Sequence, residues 1–334
     1  MRVLTVAPGP DFSVQDVHMG WTKGLAKAGV TVREFNLNKR LELWTRAQID
    51  GTNLFNFDAA LDVTKEGLYG QLWAFDPDVV VITSGFFTEP EMIDRIRSKG
   101  KLVVMIHTES PYEDDRQVAL AAHCDVNVVN DPTNIDRFNQ VAPTVYIPHA
   151  YDPDVHHARG GHRKFDFSFI GTGYGSRVEW FEQVVWPSDA KVLFGGNWQT
   201  IDDGSPLAPF VMTQRDECVD NTETAAIYRS TVCSLNRYRR EADRPELAEG
   251  WSMGPREVEL AACGVFFGRD PRPESDQVFP MLPVVEHPGE LSDLLAWAKA
   301  HPDLRQRAAD EAAAAIADRT FENNAKRLLD VLDV

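Results

Sequence analysis

The first half of the chain alternates short, apolar, β-branched runs with longer stretches whose apolar positions recur at helical spacing. Strands are expected at Val3–Ala7, Val30–Phe35, Val79–Thr83, Leu102–His107, Val126–Val129 and Thr144–Ile147. Helices are expected at Val14–Ala28, Ala59–Phe75, Pro90–Ser98 and Thr133–Asn139. The strand runs lack strict alternation, which suits strands covered on both faces, and intervening helices suit parallel crossovers. Asn36–Phe57 reads as irregular and aromatic, with no recognisable chemistry. The turn-rich phrase from Tyr146 to Pro153 ends this pattern and marks a domain boundary.

A second alternation follows. Strands are expected at Phe165–Ile170, Lys191–Phe194, Val232–Leu235, Val265–Phe267 and Pro283–Glu286. Helices are expected at Val178–Val185, Thr222–Arg229, Arg256–Cys263 and Gly289–Lys299. Residues 301–318 are alanine-rich and helical, and Phe321–Leu332 forms an amphipathic helix after a break at Arg319-Thr320. The pattern is that of an α/β chain with helix-covered parallel sheets, whose ligands sit at the carboxyl ends of strands.

At 334 residues there is room for two domains of ordinary size. Hydrophobic residues at 43% and charged residues at 25% suit a soluble globular protein. A net charge of −17 argues against a general nucleic-acid or acidic-membrane binder. No apolar run is long enough to span a bilayer, and Met1–Gly9 is too short for a signal peptide. The cysteines Cys124, Cys218, Cys233 and Cys263 are scattered without metal spacing, which fits thiols in a reducing cytoplasm. There is no GxSxG, HExxH or P-loop.

Candidate chemistry concentrates between residues 165 and 270. A loop carrying Gly250, Ser252, Gly254 and Pro255 leads into the short helix Arg256–Cys263. Ser252 or Gly254 can cap that helix, so free backbone N–H groups and a positive helix end would face a phosphate. Arg256 and Glu259 share one helix face; they suit either a nucleotide sugar or a surface ion pair. The turn Gly171-Thr172-Gly173-Tyr174-Gly175-Ser176-Arg177 either cradles phosphate or is a plain tight turn. Just past a strand end, Asn236 is followed by Arg237, Arg239, Arg240 and Arg244, which need an anionic partner or pair with Glu241, Asp243 and Glu246. In the first half, His18 follows a loop with Asp11, Ser13 and Asp16, and His107–Asp115 crowds polar groups after a strand. His156, His157 and His162 form either a metal site or a flexible linker.

Gly250-Trp251-Ser252, followed by Arg256, Glu259 and Ala261-Ala262-Cys263-Gly264, resembles the signature of CgeB-like (spore-maturation) glycosyltransferases. These are GT-B enzymes related to glycosyltransferase family 4. By its distance from Gly264, Glu259 matches the second, ribose-holding acid of the wider E-x7-E motif; the first acid falls on Trp251. Glu249 and Glu257 have that spacing in a different register. The resemblance implies two Rossmann-like domains facing a cleft: 1–150 on the acceptor side, 151–318 for the nucleotide sugar, and 319–334 as a helix returning to the first. It implies transfer from a nucleoside-diphosphate sugar to a saccharide, protein or modified nucleobase, without metal or cofactor. Donor contacts fall on Gly171, Gly173, Arg177, Asn236, Arg239, Ser252, Gly254, Arg256 and Glu259. Catalytic roles fall on His107, Glu109, His18 and Arg239. A GT-B sugar-nucleotide epimerase and a non-catalytic two-domain binding protein are the alternatives.

Overall fold

The computed structural model describes residues 1–9 and 14–333, so Asp11 and Ser13 lie outside the described residues. The chain divides into two compact units, Met1–Pro148 with Phe321–Val334, and His149–Thr320. The first unit carries β1 (Arg2–Val6), α1 (Gln15–Lys27), β2 (Thr31–Phe35), α2 (Leu37–Thr45), β3 (Gln48–Ile49), β4 (Thr52–Asn53) and α3 (Phe57–Phe75). It continues through β5 (Val79–Thr83), α4 (Pro90–Arg97), β6 (Leu102–His107), α5 (Asp114–Ala121), β7 (Val126–Val129), α6 (Ile135–Asn139) and β8 (Thr144–Tyr146).

The larger sheet runs β2-β1-β5-β6-β7-β8, all parallel. Alternate residues of its central strands feed opposite cores. Leu4, Val6, Val80, Ile82, Val103 and Met105 join one apolar cluster, and Val3, Val79, Val81, Val104 and Ile106 the other. A strand buried on both faces has no reason to alternate polar and apolar positions, which is why these runs read as continuous.

The segment Asn36–Phe57 is more regular than its sequence suggests. Asn36 Oδ1 accepts the N–H of Lys39 at 3.0 Å and so starts α2. Asp50 and Gly51, both at positive φ (50° and 75°), make the tight turn between β3 and β4. The aromatics Trp44 and Phe55 meet edge to face at 5.7 Å.

The second unit holds β9 (Phe165–Ile170), α7 (Gly175–Phe181), β10 (Val192–Gly195), α8 (Asn221–Arg229), β11 (Thr231–Asn236), α9 (Pro255–Ala262) and β12 (Phe266–Arg269). After these come α10 (Pro273–Val278), α11 (Pro288–Ala300) and α12 (Pro302–Ala315). Its parallel sheet has the order β10-β9-β11-β12. Phe167, Phe169, Phe181, Phe194 and Trp198 fill one face, all fully buried. The strand expected at Pro283–Glu286 is only a single bridge, Arg269 to Val284. Pro283 has no N–H to extend the ladder, and Pro288 already opens α11.

The last helix, α13 (Phe321–Val331), belongs to the first unit. Ala325 and Leu328 are buried there with Trp21 and Leu25 of α1. Asn324 Nδ2 donates to the carbonyl of Pro148 at 2.7 Å, next to the point where the chain leaves this unit. Gly20 and Gly24 allow the approach: a Cβ on Gly24 would stand 2.4 Å from the Phe321 carbonyl oxygen. Gly24→Ala is therefore expected to lower the melting temperature, although alanine is the better helix former by about 1 kcal/mol. A thermal melt showing gain rather than loss would mean that α13 does not press on α1 there.

Candidate functional site

The loops after β9 and β11 meet the first turn of α9, and Arg256 joins them. Its Nε donates to the Ile170 carbonyl at the end of β9, and Nη1 donates to Asn236 Oδ1 at the end of β11, both at 2.9 Å. The guanidinium lies over the Phe169 ring, 4.3 Å from its centroid. A Cβ at residue 171 would stand 2.2 Å from Nη2, and φ there is +153°, so glycine is required. Gly171 thus makes room for an arginine.

Asn236 is buried, and its amide orientation follows from Arg256, which is a donor only. Nδ2 is left without a partner in the structure. Such a buried donor has a desolvation cost, which a hydrogen-bonding ligand or water would offset. Nearby on α9, Glu259 is partly exposed and, among the described residues, makes no hydrogen bond or ion pair. Crowding by protein pushes its carboxyl up to about 7, with Arg256 opposing the rise.

Glu257 has the opposite fate. It is fully buried and accepts from the Tyr238 hydroxyl, from Ser275 Oγ at 2.9 Å and from the Gly254 N–H at 2.9 Å. Burial raises its pKa, and the bonds from Tyr238, Gly254 and Ser275 oppose that shift. Gly254 is the N-cap and Pro255 the first helical residue. Ser252 is buried and is not the cap. The Met253 N–H goes to Glu274 Oε2 at 2.8 Å. Of the N–H groups at this loop and helix start, those of Met253 and Gly254 have carboxylate acceptors, and Pro255 has none to offer.

The glycine turn is likewise packed. Gly173 donates to the Asn197 carbonyl at 2.7 Å, and a Cβ there would strike the Trp198 ring at 2.4 Å. Arg177 is buried; Nε bonds the Arg237 carbonyl and Nη1 the Thr172 carbonyl, both at 2.9 Å. It stitches the two loops together. Arg237 pairs at 2.6 Å with Asp270, whose carboxyl has no exposure at all. Arg240 pairs with Glu249 at 3.1 Å and Arg244 with Glu246 at 3.3 Å. Arg239 instead reaches the Tyr174 hydroxyl at 3.3 Å, with its guanidinium 5.4 Å from that ring's centroid.

In the first unit, His18 is buried, with Nδ1 3.3 Å from Thr83 Oγ1 and Nε2 3.1 Å from Glu34 Oε1. His107 ends β6 and is completely enclosed against Phe138. Asn127 Nδ2 donates to the Ala121 carbonyl, so its Oδ1 accepts from His107 Nε2 at 2.8 Å. Burial pushes the His107 imidazole down to about 4, with the Asn127 bond opposing, which keeps it neutral. Glu109 is half-buried, and its N–H donates to Gln117 Oε1 at 3.1 Å. Asp114, buried beside Ser110 and Asn134, is pushed up to about 6 by burial, against those bonds.

The sequence pattern of the family described as glycosyl transferase-like matches residues 163–330, half of the chain. The chain belongs to that family. No curated protein matches its sequence significantly. Among solved structures, a sucrose-phosphate synthase from Thermosynechococcus elongatus superposes with TM-score 0.67 at 11% identity, covering 100% of this chain and 98% of the other. An α-glucosyltransferase in complex with UDP gives 0.65 at 11%, with 100% of both chains covered. A chain assigned as a UDP-N-acetylglucosamine 2-epimerase from Listeria monocytogenes gives 0.60 at 12%, with 99% and 95% covered. The fold is GT-B, an α/β fold with two parallel sheets.

In this glycosyl transferase-like chain, Gly171, Asn236, Gly254 and Arg256 come together as expected from sequence. Arg177 is buried beside that cluster with its guanidinium on the Arg237 and Thr172 carbonyls, and Gly173 packs against Trp198. His107 as a catalytic group is corrected too, because it has no exposed surface from which to touch an acceptor. Tyr238, Asp270 and Glu274 were not singled out from sequence; the signal for the two acids was that one directly follows a strand and the other opens a helix. Among the described residues no cluster of His, Cys, Asp or Glu is arranged for a metal, and His156 instead faces Asn221 at 3.0 Å. None of their helices is long and apolar enough to cross a membrane.

The two acids of α9 separate by experiment. Glu257→Ala takes the carboxylate acceptor from the buried Tyr238 and Ser275 hydroxyls, at roughly 1–3 kcal/mol each. Glu259→Gln should change stability by less than about 1 kcal/mol. Urea denaturation checks the pair; equal losses would contradict the division of roles.

Proposed function

We propose that the chain transfers a hexosyl group from a nucleoside-diphosphate sugar to an acceptor hydroxyl, and that the second unit holds the donor. The observation that carries this reading is the buried, unpartnered amide of Asn236 beside a fixed Arg256 and a Glu259 that bonds nothing. Arg256, with Arg239, supplies positive charge for diphosphate oxygens; Asn236 Nδ2 donates to a ligand oxygen; Glu259 accepts from the ribose diol. In the reaction the bond from the anomeric carbon to the diphosphate breaks and one to the acceptor oxygen forms. The acceptor loses its proton, and charge builds on the departing diphosphate. Guanidiniums held in place before the reaction stabilise that charge without reorganising. The reading needs no metal and no cofactor.

UDP is the first nucleotide to test, since it is bound in the similar α-glucosyltransferase structure. The first unit takes the acceptor in this reading, with Glu109 the best-placed polar candidate after the enclosure of His107. The CgeB-like resemblance around Gly250–Gly264 and a cytoplasmic location are parts of the same proposal. The epimerase reading shares the fold and the diphosphate site. Incubation with UDP-glucose and a panel of saccharide, peptide and nucleobase acceptors separates them. Acceptor-dependent release of UDP supports transfer, whereas isomerised sugar nucleotide without acceptor favours the epimerase.

Binding should also depend on pH. In the free protein Glu259 carries its proton below about 7. Ribose hydroxyls donate to the carboxylate, so the bound state favours the charged form and the pKa falls on binding. Affinity for UDP-glucose should therefore rise with pH, by at most ~10-fold per unit below 7, and level off above it. Calorimetry across this range checks the sign; in Glu259→Gln the rise should vanish.

A further inference from the structure

The loop from Ala248 to Gly254 is held from below by the segment that opens α10. Arg272 Nη2 donates to the Ala248 carbonyl at 3.1 Å, and its guanidinium lies over the Tyr238 ring at 4.1 Å. The Glu274 N–H donates to the Trp251 carbonyl at 3.1 Å, and Glu274 Oε2 accepts the Met253 N–H at 2.8 Å. The other oxygen of the same carboxylate, Oε1, accepts from Arg319 Nη1 at 2.7 Å. Both side chains are largely enclosed, at 4% and 14% exposure.

Arg319 stands where the chain is about to leave the second unit for α13. Its carbonyl accepts the N–H of Tyr151 at 3.0 Å, and Thr320 bridges Tyr151 in parallel. Tyr151 in turn lies just past the entry to this unit at His149. The incoming and outgoing passages are therefore paired to each other, and one buried carboxylate joins that pair to the loop that leads to Arg256.

We propose that Glu274 is a positioning residue for the donor loop, and that its ion pair with Arg319 ties the order of that loop to the two chain passages joining the units. A carboxylate removed from water needs its charge answered. With Arg319 in place, Glu274 stays dry and holds the Met253 N–H; without it, the acid seeks water and releases the loop. The position of Arg256, at the end of that loop, then loosens as well. The link between Glu274 and Arg319 stands on the geometry alone, while its effect on substrate rests on the donor reading above.

The test uses the full chain with Arg319→Gln and, as rescue, Arg319→Lys. In the ligand-free protein, amide exchange at residues 250–254 should accelerate by about tenfold in Arg319→Gln and return most of the way in Arg319→Lys. Exchange in the strands Val79–Thr83 and Phe165–Ile170 should stay as in the wild type, which shows that the fold is intact. With UDP-glucose as the probe, KM should rise several-fold in Arg319→Gln while kcat changes less. Unchanged exchange at 250–254 in Arg319→Gln overturns the proposal, as does exchange that accelerates equally throughout the second unit. A wild-type protein that binds no UDP-glucose, yet shows the local acceleration and its rescue, counts against the donor reading and leaves the coupling supported.

Discussion

The guanidinium of Arg256 is the constraint on which the second unit's site depends. It is held from three sides: by the last carbonyl of β9, by the last side chain of β11 and by the Phe169 ring. Those two strands are the central neighbours of their sheet, so one side chain fixes their ends relative to each other and to α9. Everything around it answers to that demand. Gly171 has no side chain because Arg256 is there, and Asn236 turns its oxygen inward because Arg256 has only donors. The price of such a network is that the Asn236 amide nitrogen is left without a partner.

Around this centre the charges sort by burial. On a helix, residues two apart point about 200° from each other, so Glu257 and Glu259 cannot do the same work. Glu257 turns into the protein and is satisfied by Tyr238, Gly254 and Ser275; Glu259 turns out and is satisfied by nothing. The arginines divide in the same way. Arg237 is bound to a buried acid, Arg177 bonds carbonyls, and Arg256 joins the ends of β9 and β11. A chain with net charge −17 reaches a positive centre by pairing off the arginines at its margins.

Much of this was legible in the sequence, and the reason is physical. Strands covered on both faces must be continuously apolar, so β1, β5, β6, β9 and β11 stand out to within a residue or two. Turn and cap residues are legible when read as such: Asn36 and Asp50-Gly51 specify α2 and the β3–β4 turn, though aromatic content hid them. What sequence could not supply was direction. Nothing in the run Ser234–Arg240 says which arginine meets Asp270, because that acid follows another strand. Likewise His107, at a strand's carboxyl end, has the position of a catalytic group but the burial of a core residue. The spacing of Glu249 and Glu257 matched a motif, yet one is on the surface paired to Arg240 and the other is sealed inside.

The last helix shows how sequence families and structural units can be cut differently. The family pattern spans residues 163–330 and so includes α13, although α13 packs in the other unit against Gly20 and Gly24 of α1. A pattern confined to one unit would have stopped near Thr320. The pattern runs on through the returning helix, even though that helix buries its apolar face in the first unit. The groove on α1 is built for a backbone, not merely for side chains, since Gly24 meets the Phe321 carbonyl. The segment just before α13 is paired to Tyr151 and linked through Arg319 to Glu274. Within the second unit, the loop that leads to Arg256 is thus fastened through Glu274 to the segment by which the chain leaves it.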